Sequence, residues 1–220
     1  MSAPFLQLEN LQVARGGKLV LEISKLEAPA GKVTVVFGEN GAGKTTMLMA
    51  AAGLLDLKSG EVKLFGRPFH QGRAPAPKSL RQKMAFVFQD PYLFRRSVLK
   101  NLTYGLKIRG VSKARRRQRA ETVMHQLKIS DLAGRPANDL SGGERKLVAL
   151  GRALVLDPEI LFLDEVTASL DDSAREHVLA LIASLASEGG KSILMATHLE
   201  GIAERLQAPA IHLKAGRVAG

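Results

Sequence analysis

Alternating apolar and polar positions predict short strands near the start of the chain. In residues 5–9 and 20–23 apolar side chains alternate with polar ones, the pattern of a strand with one buried and one exposed face. Val33–Phe37 is instead a nearly continuous apolar run of mostly β-branched side chains, which is typical of a strand buried on both faces. We therefore expect antiparallel strands first and a strand of a buried sheet after them.

The last third of the chain has the pattern of a parallel sheet. Residues 160–163 and 192–195 are apolar runs of strand length, and residues 173–186 between them have helical patterning. A strand–helix–strand order of this kind implies that its two strands are parallel. A further apolar strand is predicted over residues 84–88.

A long helical stretch lies between these strands. Residues 97–152 have mainly helical patterning, and Ser112 is the expected N-cap of one helix. Three apolar side chains are expected on one face of that helix: Val123, Met124 and Leu127. Before this stretch, residues 66–68 and 73–77 are rich in glycine and proline and predict turns.

These patterns together define the fold class and the domain organisation. The chain is expected to be α/β, with a mixed or parallel sheet, N-terminal antiparallel strands and an inserted all-helical subdomain. Its 220 residues suit one domain. We place the core of that domain at residues 1–89 and 153–220, and the helical subdomain at residues 90–152.

Composition narrows the class of protein further. The chain is 45% apolar and 24% charged, as in ordinary globular proteins. Its longest apolar stretch, residues 47–55, is far shorter than the roughly 20 residues that cross a bilayer. It has no cysteine, which excludes disulfides, thiol catalysis and cysteine-ligated metals. The first residues show no pattern of a secretory leader, so we expect a cytosolic location.

A net charge of +11 favours anionic partners such as nucleotides, nucleic acid or a phospholipid surface. Much of the excess lies in residues 95–119. Two interpretations of that segment stay open: a solvated helix face, or a patch that meets phospholipid or another anionic surface.

The clearest chemical motif is a phosphate-binding loop over residues 38–45, which fits Gly-x-x-x-x-Gly-Lys-[Ser/Thr]. Glycines let backbone N–H groups surround phosphate oxygens, Lys44 places a positive charge on them, and the Thr45 hydroxyl is a magnesium ligand. The loop follows a predicted buried strand and precedes helix formers over residues 44–52, the context that the motif requires. An accidental glycine-rich turn is therefore disfavoured.

Two carboxylates follow the predicted strand at residues 160–163. The carboxyl ends of parallel strands face the ligand crevice, so Asp164 can reach Mg²⁺ and Glu165 can deprotonate an attacking water. The alternative is that the pair caps the next helix. The phosphate loop earlier in the chain favours the catalytic interpretation.

A third element, residues 140–144, has the sequence Leu-Ser-Gly-Gly-Glu and opens a predicted helix. Ser141, Gly142 and Gly143 would expose backbone N–H groups at the helix N-terminus, which is an anion site. Alone, the segment could equally be a turn.

These motifs and their order along the chain resemble those of the nucleotide-binding subunit of an ATP-binding-cassette (ABC) transporter. The resemblance covers nearly the whole chain. The resemblance implies a P-loop NTPase fold that binds ATP and Mg²⁺. It implies that Glu165 is the catalytic base and His198 the switch histidine that contacts the γ-phosphate. Gln89 resembles the residue that senses Mg²⁺ and links the helical subdomain to the core, and residues 169–171 resemble the D-loop. The implied nucleotide-binding residues are Gly38, Glu39, Asn40, Gly41, Ala42, Gly43, Lys44, Thr45, Thr46, Ser141, Gly142 and Gly143, and the implied metal ligands are Thr45, Gln89 and Asp164.

Three positions depart from the family pattern. Residues 14–17 lack the aromatic side chain on which the family stacks adenine, and Arg15 could stack there by its guanidinium plane. Glu144 replaces a glutamine and adds negative charge near phosphate. Val166 replaces a proline, and we assign that change no functional meaning.

The resemblance implies an ATPase that powers a separate integral-membrane permease from the cytoplasmic face of the membrane. ATP would be held between two copies of the chain arranged head to tail, and a solute-binding protein outside the membrane is the expected further partner. Residues 90–97 resemble importers of inorganic oxyanions, tungstate in particular, and residues 92–98 are expected to receive the permease. The alternatives are an exporter subunit, for haem or lipoprotein release, and a soluble DNA-maintenance ATPase. We expect no nucleic-acid partner, because residues 44–140 leave no room for the long coiled coils of that last class.

Overall fold

The structure, a computed structural model, describes residues 4–72 and 77–219. These residues form two β-sheets and seven α-helices. Residues 73–76 of the expected turn at 73–77 lie outside the described residues. The strands are β1 (Pro4–Arg15), β2 (Lys18–Pro29), β3 (Val33–Phe37), β4 (Ser59–Leu64), β5 (Arg67–Gln71), β6 (Met84–Val87), β7 (Ile160–Asp164), β8 (Ser192–Thr197), β9 (Ala210–Lys214) and β10 (Arg217–Val218). The helices are α1 (Lys44–Ala51), α2 (Lys78–Arg81), α3 (Val98–Ile108), α4 (Lys113–Gln126), α5 (Gly142–Leu154), α6 (Asp172–Ser187) and α7 (Ile202–Arg205).

The first sheet is antiparallel, with strand order β2-β1-β4-β5. The expected N-terminal strands are confirmed as parts of the much longer β1 and β2. The β4–β5 hairpin was missed, because the sequence indicated only the turn at Gly66, which does join the two strands. β4 is short and polar, and Pro68 in β5 suits only a sheet edge, so neither strand has a strong apolar pattern.

The second sheet has the order β10-β9-β3-β8-β7-β6, and all its strands except β10 are parallel. The strand–helix–strand prediction is confirmed, since α6 connects β7 to the adjacent parallel strand β8. β8 pairs Thr197 with Phe37 on one side and Ala196 with Asp164 on the other. The carboxyl ends of β3, β7 and β8 therefore meet at one edge of the sheet.

Both faces of this parallel sheet are buried, which explains its continuous apolar strands. Leu161 and Leu163 of β7 pack in a core shared with the helices α3 to α6, whereas Ile160 and Phe162 pack in a second core with α1 and the antiparallel sheet. Phe162 is fully buried. Because both cores include residues of β7, the position of its last residue is fixed from two sides.

The segment between β6 and β7 contains α3, α4 and α5, in agreement with the expected helical stretch. Ser112 is the N-cap of α4, although its side chain makes no capping hydrogen bond. The three apolar side chains expected on one face of this region, Val123, Met124 and Leu127, are buried. The division of the chain at residues 89/90 and 152/153 stays a prediction. None of the described helices is long and apolar enough to span a membrane.

Candidate functional site

The loop after β3 is shaped by glycines. Gly43 has φ +101° and is the N-cap of α1, and neither a side-chain cap nor an acidic residue occupies the first turn of that helix. A Cβ on Gly38 would lie 2.3 Å from the Leu213 carbonyl oxygen of β9, so only glycine fits there. The first N–H groups of α1 have no intrahelical acceptor, which makes the loop a suitable site for an anion.

Lys44 brings a positive charge beneath this loop. Its side chain is 6% exposed, and Nζ donates hydrogen bonds to the carbonyl oxygens of Gly38 (2.7 Å) and Glu39 (3.1 Å). Nζ also lies 3.4 Å from Glu165 Oε1. The ammonium group is thus held at the base of the loop, where it would contact a bound phosphate.

Thr45 and Asp164 form a site that suits Mg²⁺. Thr45 Oγ1 donates a 2.8 Å hydrogen bond to Asp164 Oδ2, and the other carboxylate oxygen, Oδ1, is buried without a hydrogen-bond partner among the described residues. Burial raises the pKa of the Asp164 carboxyl, and the Thr45 hydrogen bond offsets part of that rise. A buried carboxylate oxygen beside a hydroxyl fits a hard cation, whose remaining ligands would be phosphate oxygens and water.

Glu165 and His198 meet beside this pair. His198 Nδ1 lies 3.0 Å from Glu165 Oε1, and the Glu165 side chain is 4% exposed. Despite these short distances, neither Glu165 oxygen receives an aligned hydrogen bond from the described residues. Glu165 has φ +50°, a conformation that non-glycine residues rarely adopt. A buried carboxylate that is under-satisfied in this way can accept a proton from a water placed near it.

Lys146 of α5 contacts the turn that follows β7, and the sequence did not predict this contact. Its Nζ donates to the carbonyl oxygens of Glu165 (3.0 Å) and Ala168 (2.8 Å). Burial lowers the pKa of Lys146, and the negative charges of Glu165, Asp90 and Asp164 offset part of that lowering. No sequence pattern relates a helix lysine to a turn that follows it by 20 residues.

The start of α5 lies outside this cluster of contacts. The Ser141 hydroxyl accepts from the Glu144 N–H, and Glu144 Oε2 accepts from the Ser141 N–H, which is a capping box. Arg135 donates to the other Glu144 oxygen at 3.0 Å. The added negative charge at residue 144 is therefore paired within its own chain, and Ser141 and Gly142 are exposed.

The remaining expected site residues are exposed or structural. Gln89 follows β6 at the same sheet edge as Asp164, because β6 pairs with β7. Arg15 is exposed at the end of β1, beside the turn to β2. Val166 packs in the helical core, which accounts for an apolar residue there. The roles of Gln89 in metal sensing and of Arg15 in adenine stacking stay predictions.

Comparisons with known proteins show the family and the fold. The family model described as ABC transporter matches residues 21–168. The tungstate uptake system ATP-binding protein TupC of Peptoclostridium acidaminophilum is 36% identical over 96% of this chain and 95% of its own length. The nickel import ATP-binding protein NikO of Rhodobacter capsulatus is 36% identical over 98% of this chain and 88% of its own length. A dimeric post-hydrolysis structure of the ATP-binding cassette MJ0796, bound to ADP and Pi, superposes with a TM-score of 0.87 at 27% identity, covering 98% of this chain and 97% of that one.

The capping box predicts a pH-dependent contribution of Glu144 to stability. The Ser141 backbone N–H, supported by Arg135, lowers the pKa of Glu144. A lowered pKa stabilises the fold above the ordinary carboxyl pKa, and this stabilisation is lost as pH falls through the lowered value. Glu144→Gln should therefore lower the free energy of unfolding by about 0.3–1 kcal/mol at pH 7, and by less at about pH 3, below the ordinary carboxyl pKa.

Urea denaturation at both pH values measures this difference. Glu121→Gln is the matched control, because Glu121 forms an exposed pair with Arg117 in the middle of α4 and not at a helix N-terminus. An equal loss in the two variants, or a Glu144→Gln loss that is unchanged by pH, would contradict the capping role.

Proposed function

This chain belongs to the ABC transporter family, and we propose that it energises the import of a small inorganic oxyanion. It is an ATPase coupled to transport, and the permease that it powers is a separate membrane protein. The observation that carries the finer proposal is the resemblance of residues 90–97 to oxyanion importers, and the similarity to a tungstate uptake subunit over almost the full length of both chains is consistent with it.

Our proposal for hydrolysis assigns a role to each residue at the end of the parallel sheet. Lys44 and the N–H groups that begin α1 bind the phosphates of ATP. Thr45 and Asp164 would hold Mg²⁺, and when bound it would supply positive charge for the phosphate oxygens. Glu165 accepts a proton from the attacking water, and His198 orients that water or the γ-phosphate. Because Glu165 lies 3.4 Å from Lys44 and 3.0 Å from His198, bound phosphate would draw Lys44 away and free the carboxylate.

We further propose that each ATP lies between two copies of the chain. Four side chains surround the phosphate loop: Lys44, Thr45, Asp164 and Glu165. The exposed N-terminus of α5 lies outside this group, where its Ser141 and Glu144 form a capping box and Glu144 also accepts from Arg135. A head-to-tail dimer would place that exposed N-terminus against the nucleotide of the other copy. The cassette structure at 27% identity is a dimer bound to ADP and Pi, which supports a dimer of this chain.

A permease contact is proposed at the groove beside β6. Tyr92 is 72% exposed there, and Phe94 is half-buried under the Arg152 guanidinium, which lies 5.3 Å from its ring centre. Leu93 and Val98 are buried in the helical core, so these two members of the expected docking segment, residues 92–98, belong to the fold. The exposed aromatic side chain and the groove of about 330 Å³ suit an apolar helix of a partner.

The transported solute binds to other subunits, so the oxyanion is inferred from sequence similarity. TupC and NikO are equally similar to this chain at 36% identity, so the overall likeness does not separate tungstate from nickel. The resemblance of residues 90–97 to oxyanion importers favours tungstate. Both of these relatives are named for uptake or import, which favours import over the alternative of haem or lipoprotein export.

A cross-linking experiment tests the shared ATP site. Asn40→Cys and Gly142→Cys variants, at exposed positions of the phosphate loop and of the first turn of α5, are purified separately, because the natural chain has no cysteine. Mixing them under mild oxidation with ATP, with hydrolysis suppressed, should yield a covalent heterodimer, since a disulfide needs Cα atoms within about 7 Å. Each variant alone is the control and should yield far less dimer. Failure to cross-link in any nucleotide state would contradict the head-to-tail site.

An uptake assay tests the substrate. Cells lacking this gene should take up labelled tungstate at least about tenfold more slowly, because ATP hydrolysis no longer drives the permease. The wild-type gene should restore uptake and a Lys44→Ala gene should not, while nickel uptake stays unchanged. Loss of nickel uptake with normal tungstate uptake would overturn the oxyanion assignment.

A further inference from the structure

The turn that carries Glu165 is held in an unfavourable backbone conformation. Glu165 has φ +50° and Ser169, four residues later, has φ +67°. Left-handed conformations of this kind are unfavourable for non-glycine residues, and they persist only when surrounding contacts impose them. The direction of the Glu165 carboxylate therefore depends on whatever fixes this turn.

Several hydrogen bonds fix the turn that carries Glu165, and Lys146 is their charged donor. The Glu165 N–H donates to the Ala196 carbonyl oxygen of β8 at 3.0 Å. The Glu165 carbonyl oxygen accepts from Lys146 Nζ at 3.0 Å, and the same ammonium reaches the Ala168 carbonyl oxygen at 2.8 Å. Hydrogen bonds from a charged donor are about twice as strong as neutral ones. Lys146 thus bridges both ends of the four-residue turn.

A second contact shows how closely α5 packs against this segment. A Cβ added to Gly143 would lie 3.2 Å from the Ser169 carbonyl oxygen. The first turn of α5 therefore packs on the backbone just beyond the turn, and Lys146, one helical turn later, donates into the turn itself. α5 and the turn at residues 165–168 are therefore in direct contact.

We propose that Lys146 is a positioning residue that fixes the backbone turn of Glu165 and so aims its carboxylate at the attacking water. This inference rests on the proposed role of Glu165 as the base. Lys146 acts through the Glu165 main chain, so it affects the rate of hydrolysis and leaves ATP binding to the phosphate loop unchanged. An arginine can donate to the same two carbonyl oxygens, whereas a methionine of similar length cannot.

The test compares Lys146→Met and Lys146→Arg in steady-state phosphate release. The Met variant should lose about tenfold or more in kcat with a KM for ATP within about twofold of wild type, and the Arg variant should recover most of the rate. The matched control is Lys191→Met. Lys191 donates to Asp157 Oδ1 (2.6 Å) and to the Pro158 carbonyl oxygen (2.9 Å) in the turn before β7, whereas Lys146 donates to the turn after β7. Lys191→Met should lower Tm about as much as Lys146→Met while leaving kcat unchanged.

A double-variant cycle isolates the route of action. Lys146→Met placed on Glu165→Gln should change the residual rate less than twofold, because the group that it positions is already gone. A further tenfold loss on that background, a wild-type kcat in Lys146→Met, or equal kcat losses in Lys146→Met and Lys191→Met would overturn the inference. A Glu165→Gln variant as active as wild type would instead refute the proposed function itself.

Discussion

The burial of three charged side chains at one sheet edge is the constraint on which the rest of the structure depends. Lys44, Asp164 and Glu165 are all less than 7% exposed. Removing charges from water costs several kcal/mol each, and here their mutual attraction repays it only in part, because the carboxylates keep oxygens without aligned partners. The parallel strands, the glycine loop and α5 hold these groups in place. A phosphate and a cation bound there would supply further partners for them.

Much of this site could be predicted from the sequence, because its parts depend on local patterns. An apolar run followed by a glycine-rich loop specifies a strand, an anion site and a helix, and the run at residues 160–163 specifies a strand that ends in two carboxylates. Parallel strands end at a common edge, so the meeting of Thr45 with Asp164 follows from topology. The apolar patterns likewise predicted the parallel strands and the helical stretch between β6 and β7.

Other features could not be predicted because they depend on tertiary contacts. The donation of Lys146 to the turn after β7 requires α5 to lie against that turn, which no periodicity expresses. The burial of Leu93 depends on the packing of the helical core. The effect of Glu144 could not be judged from its charge alone, because its consequence is set by Arg135 and by the capping box. In each case the sequence shows the residue type, and only the structure shows the group that it contacts.

We propose that Glu165 is the base that activates water against ATP bound at the phosphate loop. The most direct measurement is steady-state phosphate release by Glu165→Gln, with MgATP binding followed by the rise in Tm that the nucleotide causes. We expect a rate lower by roughly 10²–10⁴ with the Tm rise retained, whereas Lys44→Ala should lose the Tm rise itself. A Glu165→Gln rate within a few-fold of wild type would show that Glu165 is not the base.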